Sequence, residues 1–141
     1  IAEDPGSPKA PSACGDLYYL KKDYAKALEY YRKAVEVKPH YFEGLVLAGA
    51  CSHRVRDYAA AVDFYERATQ LRPDSWLPPY NMACMLTEQG KLDEALEFLK
   101  GSIACDTGQR NLAQLLETDT DLDPLRALPA FVELKNQFQA P

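Results

Sequence analysis

An all-α fold, built from stacked helix-turn-helix units and closed by shorter C-terminal helices, is what this sequence predicts. Three observations carry that prediction. Gly15, Gly49 and Ala83 recur at a step of 34 residues, as do Ala27, Ala61 and Ala95, the pair Ala34 and Ala68, and the pair Pro39 and Pro73. A fixed period of this length means one helix pair per repeat, each pair burying its apolar side on the next. Apolar residues within each repeat fall at three-and-four spacing, the signature of an amphipathic helix. Proline or glycine then closes most of the units.

The elements follow in order. Residues 1–11, with Pro5, Pro8 and Pro11, read as a flexible leader, because proline removes backbone donors and blocks a regular helix. A first helix is expected over 12–21, capped by Ser12 and shortened by the prolines before it. The turn Lys22-Asp23 leads to a second helix over 24–37, whose inward residues are Tyr24, Ala27, Leu28, Tyr31, Ala34 and Val35. Pro39 ends it. Helix three is expected over 41–54 and helix four over 58–71, the latter turning Ala61, Val62, Tyr65 and Ala68 inward. Ser75 caps a fifth helix running to residue 89, where Pro78 and Pro79 are tolerated because first-turn amides have no helical partner. Gly90 suits a left-handed stop. Helix six, over 92–104, buries Leu92, Ala95, Leu96, Leu99 and Ile103.

The period breaks after Asp106-Thr107-Gly108. A helix over 110–117, a turn built from TDTDLD, a short helical turn starting at Asp123-Pro124 and a last helix with Phe131, Val132, Leu134 and Phe138 complete the chain. A stack of repeats needs its final unit covered, so 108–141 read as capping helices.

Composition narrows the function. The net charge is −5 and the pI about 5.0, and no basic stripe of the kind that tracks nucleic acid is present. No apolar run is long enough to span a membrane, so membrane insertion is not expected. Cys14, Cys51, Cys84 and Cys105 form no C-x-x-C pair and have no histidine at metal spacing. They read as buried or half-buried free thiols of a reducing compartment, with structural disulfides as the alternative, and a cytoplasmic location is expected. The alternative is import into an organelle after removal of a targeting segment. No metalloprotease, nucleophile-elbow or phosphate-loop motif occurs, so no catalytic residue, cofactor or metal is assigned. His40 reads as a loop residue. The acidic TDTDLD run lacks the loop pattern of a calcium site and reads as turn and helix-cap chemistry.

The combined spacing resembles the tetratricopeptide repeat family. Repeat one supplies Gly15, Tyr18, Ala27, Tyr31, Ala34 and Pro39. Repeat two supplies Gly49, Ala61, Tyr65, Ala68 and Pro73, and repeat three Ala83, Leu86, Ala95, Leu99 and Ser102. The repeats fall at about 12–40, 41–74 and 75–107. The tail is similar to the closing segment of bacterial-type arrays, in which a DLDPLR turn precedes a short helix containing phenylalanine. Departures stand at Pro11, Leu45 and Pro79, where the family has an aromatic residue, and at Ser52, where it has tyrosine. The resemblance implies a right-handed superhelical solenoid of three repeats in which Gly15, Gly49 and Ala83 face Ala27, Ala61 and Ala95.

It also implies a concave groove lined by the first helix of each pair. The groove slots here are Ser12, Asp16 and Tyr19 in repeat one. Repeat two contributes Glu43, Val46, Leu47, Ala50, His53 and Arg54, and repeat three Leu77, Tyr80, Asn81, Cys84 and Glu88. Tyr19, Val46, Leu47, His53, Arg54, Tyr80 and Asn81 are the residues expected to hold a protein or peptide segment. Family members that clamp the C-terminal carboxylate of heat-shock chaperones do so with lysine, asparagine and arginine. The matching slots are Ser12, Asp16, Leu47, Leu77 and Asn81, so that ligand is disfavoured. The expected function is a non-catalytic adaptor that assembles or scaffolds a multiprotein complex. The rival expectation is the regulatory or targeting portion of a larger enzyme.

Overall fold

The computed structural model describes residues 9–105 and 110–139, and among them every regular element is helical. The chain divides into two compact units, one ending at Arg72 and one beginning at Pro73. The first contains α1 (Lys9–Leu20), α2 (Tyr24–Val37), α3 (Phe42–Arg54) and α4 (Tyr58–Leu71). The second contains α5 (Leu77–Glu88), α6 (Leu92–Cys105), α7 (Arg110–Thr118), a 3-10 turn at Thr120–Leu122, α8 (Asp123–Arg126) and α9 (Pro129–Gln139).

The expected bounds of α2 and α4 match those observed. Helix α1 does not begin at Ser12. It starts at Lys9 and takes Pro11 into its first turn, where the missing N–H had no partner to lose. Ser12 is therefore no cap; it is buried, and its Oγ lies 3.1 Å from the Tyr41 hydroxyl. Of the expected leader, residues 1–8 lie outside the described residues. Trp76 rather than Ser75 stands at the start of α5, although Ser75 Oγ accepts from the Leu77 amide at 3.4 Å.

The turn inside each helix pair repeats as faithfully as the helices do. Lys22, Arg56 and Gly90, each 34 residues on, hold positive φ of 62°, 65° and 79°. The amides of Asp23, Asp57 and Lys91 reach back to the carbonyls of Tyr18, Ser52 and Leu86 at 2.9, 2.8 and 2.9 Å, which is the Schellman closure. Asp23 and Asp57 then cap the next helix, accepting from Lys26 and Ala60 amides at 3.3 and 3.2 Å. The third turn has Lys91 where the others have aspartate, and glycine where the others have a strained side chain.

In the first unit α1 packs on α2, α2 on α3 and α3 on α4. The small residues of α1 and α3 serve a different neighbour from the one expected. A Cβ added at Gly15 would lie 2.7 Å from Cε1 of Tyr31, and one at Gly49 would lie 2.7 Å from Cε1 of Tyr65. The glycines thus seat tyrosine rings, both almost completely buried. The second unit has Ala83 and Leu99 in the same slots: one residue larger, the other smaller. In α4 Ala61, Tyr65 and Ala68 are buried as expected, whereas Val62 is only half-buried and Phe64 is buried in addition.

In the second unit the tail closes the core. Leu112, Leu116, Leu122, Leu125 and Phe131 are buried together with Ala95, Leu96 and Leu99 of α6. Arg126 ties the segment to itself. Its guanidinium donates to the Leu116 carbonyl at 2.5 Å, the Asp119 carbonyl at 2.7 Å and Asp123 Oδ1 at 2.9 Å. All four cysteines are free thiols, with Cys51 and Cys84 buried.

Candidate functional site

Three of the groove residues of the first unit lie near its two helix-pair turns: Tyr19 and Arg54 against Tyr24, and His53 by Tyr58, while Ser12, Asp16 and Glu43 lie against Tyr41, Tyr31 and Arg72 instead. Helical spacing puts Val46, Leu47, Ala50, His53 and Arg54 along one side of α3. Val46 is 7% exposed and forms a floor, Leu47, Ala50 and His53 are half-buried, and Arg54 is exposed. The Arg54 guanidinium lies 5.8 Å from the centre of the Tyr24 ring, a cation–π distance. Tyr24 meets Tyr19 edge to face, centroids 5.4 Å apart, and His53 lies 6.1 Å from Tyr58. Tyr24 was expected among the inward residues of its helix; it and Tyr58 are half-buried members of this cluster instead. Each follows a capping aspartate, and that placement was the signal available in the sequence.

Burial raises the pKa of Tyr19, with Cys51 and Tyr24 adding to the effect and Arg54 opposing it. Burial also pushes the Cys51 thiol up to about 12, so it is a protonated packing group rather than a nucleophile. Asp16, another groove slot, is already engaged: it accepts from the Tyr31 hydroxyl at 2.5 Å. Burial first, and then this bond, hold the Tyr31 pKa above its ordinary value.

The second unit departs from expectation. Tyr80 is only 4% exposed and belongs to the hydrophobic core. Its hydroxyl donates to Asp119 of the acidic turn, and its ring meets Trp76 edge to face at 5.7 Å. Burial, then Cys84, then the bond to Asp119 keep this phenol protonated well above its usual range. Tyr80 is therefore not an accessible binding residue, because the turn at Thr120–Leu122 packs on α5 and covers it. Asn81 is half-buried on the same helix and Glu88 is exposed.

The acidic turn acts as cap chemistry, since Asp119 accepts from the Asp121 amide at 3.0 Å. It also brings Cys84, Asp119 and Asp121 together, with donor atoms within 4.8 Å of one another. Both oxygens of Asp119 already accept hydrogen bonds, from Tyr80 and from Asp121. No described helix is long and apolar enough to cross a membrane.

Family models of the tetratricopeptide repeat match residues 13–41 and 53–118. The chain belongs to the tetratricopeptide repeat family, whose members are typically protein-interaction modules without catalysis of their own. No curated protein sequence matches the chain. Among solved structures it is similar to a chain of the CopN–Scc3 complex, with TM-score 0.71, 25% identity, and 84% of this chain and 68% of that one covered. It is similar to the Yersinia enterocolitica type III secretion chaperone SycD in complex with a peptide of the translocator YopD. There the TM-score is 0.73 at 14% identity, covering 92% and 90%. The first tetratricopeptide domain of Spaghetti (RPAP3), bound to the HSP90 peptide SRMEEVD, gives 0.67 at 17% identity, covering 84% and 99%.

Proposed function

We propose that this chain is a non-catalytic adaptor that holds a segment of a partner protein on the α3 side of its first unit, for assembly of a multiprotein complex. The observation that carries this reading is the cluster of Tyr19, Tyr24, His53, Arg54 and Tyr58. It joins half-buried aromatic area to one exposed guanidinium beside an apolar floor of Val46 and Leu47. Tyrosine and arginine carry a disproportionate share of interface energy, because each combines large contact area with directed hydrogen bonds. An apolar strip with a few polar handles suits an extended or helical peptide. Tyr80 and Asn81 belong to the second unit and are not part of this proposal.

Solved relatives with bound peptides, SycD with a YopD peptide and the RPAP3 domain with an HSP90 peptide, support the ligand class. They do not extend to the chaperone tail. Ser12 and Asp16 stand where a carboxylate clamp would need lysine and asparagine, and both are spent on tyrosine hydroxyls. The net charge of −5 favours a protein partner over nucleic acid.

The test is peptide-display selection on the whole chain, followed by affinity measurement of the enriched peptides. Arg54→Ala and Leu47→Ala should each weaken them by about tenfold while helical circular dichroism stays unchanged. Enriched peptides that bind both variants with native affinity would remove α3 as the working surface.

A further inference from the structure

Helices α2 and α4 of the first unit leave a pocket of about 370 Å³ between them, lined by none of the residues of the α3 cluster. Helix α1 precedes α2, and α3 joins it to α4, so the opening is set by the unit's own packing. The floor is apolar, because Val35 and Phe64 are buried there. Four charged side chains stand round it, Arg32 and Glu36 from α2 and Asp63 and Arg67 from α4. A pocket of this volume lies in the range that holds small molecules.

The two walls spend their charges differently. On α4 Asp63 and Arg67 face each other at 3.8 Å and offset one another. On α2 Arg32 and Glu36 stand one turn apart, and neither has an ion pair or a hydrogen bond among the described residues. A cation placed N-terminal to its carboxylate is the poorer order for pairing along a helix. The Arg32 guanidinium goes to the Phe64 ring instead, 5.2 Å from its centre, and Arg67 lies 5.7 Å from the same centre. Phe64 thus holds two guanidiniums at the pocket, and their N–H groups form no hydrogen bond to other described residues. The set is no requirement of the repeat, because one step of 34 residues turns Arg32 and Glu36 into Glu66 and Gln70.

We propose that this pocket binds a small zwitterion, an α-amino acid with an apolar side chain. Its carboxylate accepts from Arg32 and Arg67, its ammonium donates to Glu36, and its side chain lies over Val35 and Phe64. The rise from Arg32 to Glu36 along the helix is about 6 Å. Two charge-assisted hydrogen bonds of about 2.8 Å, one at each end of the ligand, bridge a gap of that size. The charge balance selects the class. A lone oxyanion would meet Glu36 and Asp63, and a lone cation would meet the two guanidiniums. An uncharged apolar ligand would strip water from the charged groups and give them no partner in return. This site does not rest on the adaptor reading.

The probe is L-leucine, titrated into the full isotope-labelled chain and followed by amide chemical shifts. Saturable shifts should fall on α2 around residues 32–36 and on α4 around residues 63–67. Arg32→Gln and Glu36→Gln should each weaken binding by about fivefold, with circular dichroism unchanged because both side chains are exposed. Lys100→Gln, a charge removed from the second unit, should leave binding within about twofold of the native chain. N-acetyl-L-leucine keeps only the carboxylate and L-leucinamide only the ammonium, and each should bind at least about fivefold more weakly than L-leucine. Absence of saturable shifts, or shifts that fall elsewhere, overturns the proposal. Equal or tighter binding of N-acetyl-L-leucine would make the pocket an oxyanion site and overturn it too. So would tighter binding of L-leucine to the Glu36→Gln variant, since the ammonium contact would then be absent.

Discussion

Helices α3 and α5 hold equivalent slots one repeat apart, and the same side of each meets a different fate. On α3 the slots carry Val46, Leu47, Ala50 and Arg54; on α5 they carry Tyr80, Asn81, Cys84 and Glu88. The α3 side ends in an exposed guanidinium over a half-buried aromatic cluster. The α5 side is closed by the acidic turn, whose Asp119 takes the Tyr80 hydroxyl. A tyrosine at this slot is thus not by itself a binding residue. It becomes part of the core when a later segment brings both apolar cover and an acceptor for its hydroxyl, since a buried phenol without a partner would be costly.

The comparison breaks most readily at the cover. Phe131 is 2% exposed among leucines of α7 and α8. Phe131→Ala should cost about 3–5 kcal/mol of stability by urea denaturation, and it should expose Tyr80 to solvent. If tyrosine fluorescence and the denaturation midpoint both stay native, the tail does not hold the α5 side closed.

The next contrast lies between the glycine–tyrosine seats of the first unit and the alanine–leucine pair of the second. Gly49→Ala places a Cβ 2.7 Å from the Tyr65 ring and should cost about 1–3 kcal/mol. Adding Tyr65→Leu copies the pairing of Ala83 with Leu99 and should recover part of that loss. A double-mutant cycle should therefore give a favourable coupling of about 1 kcal/mol. Strict additivity would mean that the ring does not fill the space left by the glycine.

The smallest effect concerns the turns. Lys22 and Arg56 sit in left-handed backbone where the third turn has Gly90. Lys22→Gly and Arg56→Gly should each raise stability by about 1 kcal/mol, and Gly90→Ala should lower it by a similar amount. Melting temperatures that move in the opposite sense would show that the aspartate caps, present only in the first two turns, depend on the side chain before them.

Much of this molecule was legible in its sequence, because the repeat writes each helix pair as a local pattern. The bounds of α2 and α4, the small-residue slots, the free thiols and the family itself follow from spacing, propensity and turn residues within one 34-residue window. Pro11 misled because a first-turn proline and a helix breaker look alike until the helix start is known. Tertiary structure alone decided which groove residues remain open. Tyr80 and Asp119 are 39 residues apart and lie across the point where the period stops, so no register in the sequence pairs them. The bond between Tyr31 and Asp16, 15 residues apart, likewise needs the hairpin closed before the carboxylate has a partner. Helices form from contacts a few residues away, whereas burial and hydrogen-bond satisfaction are set by whichever distant segment the folded chain brings alongside.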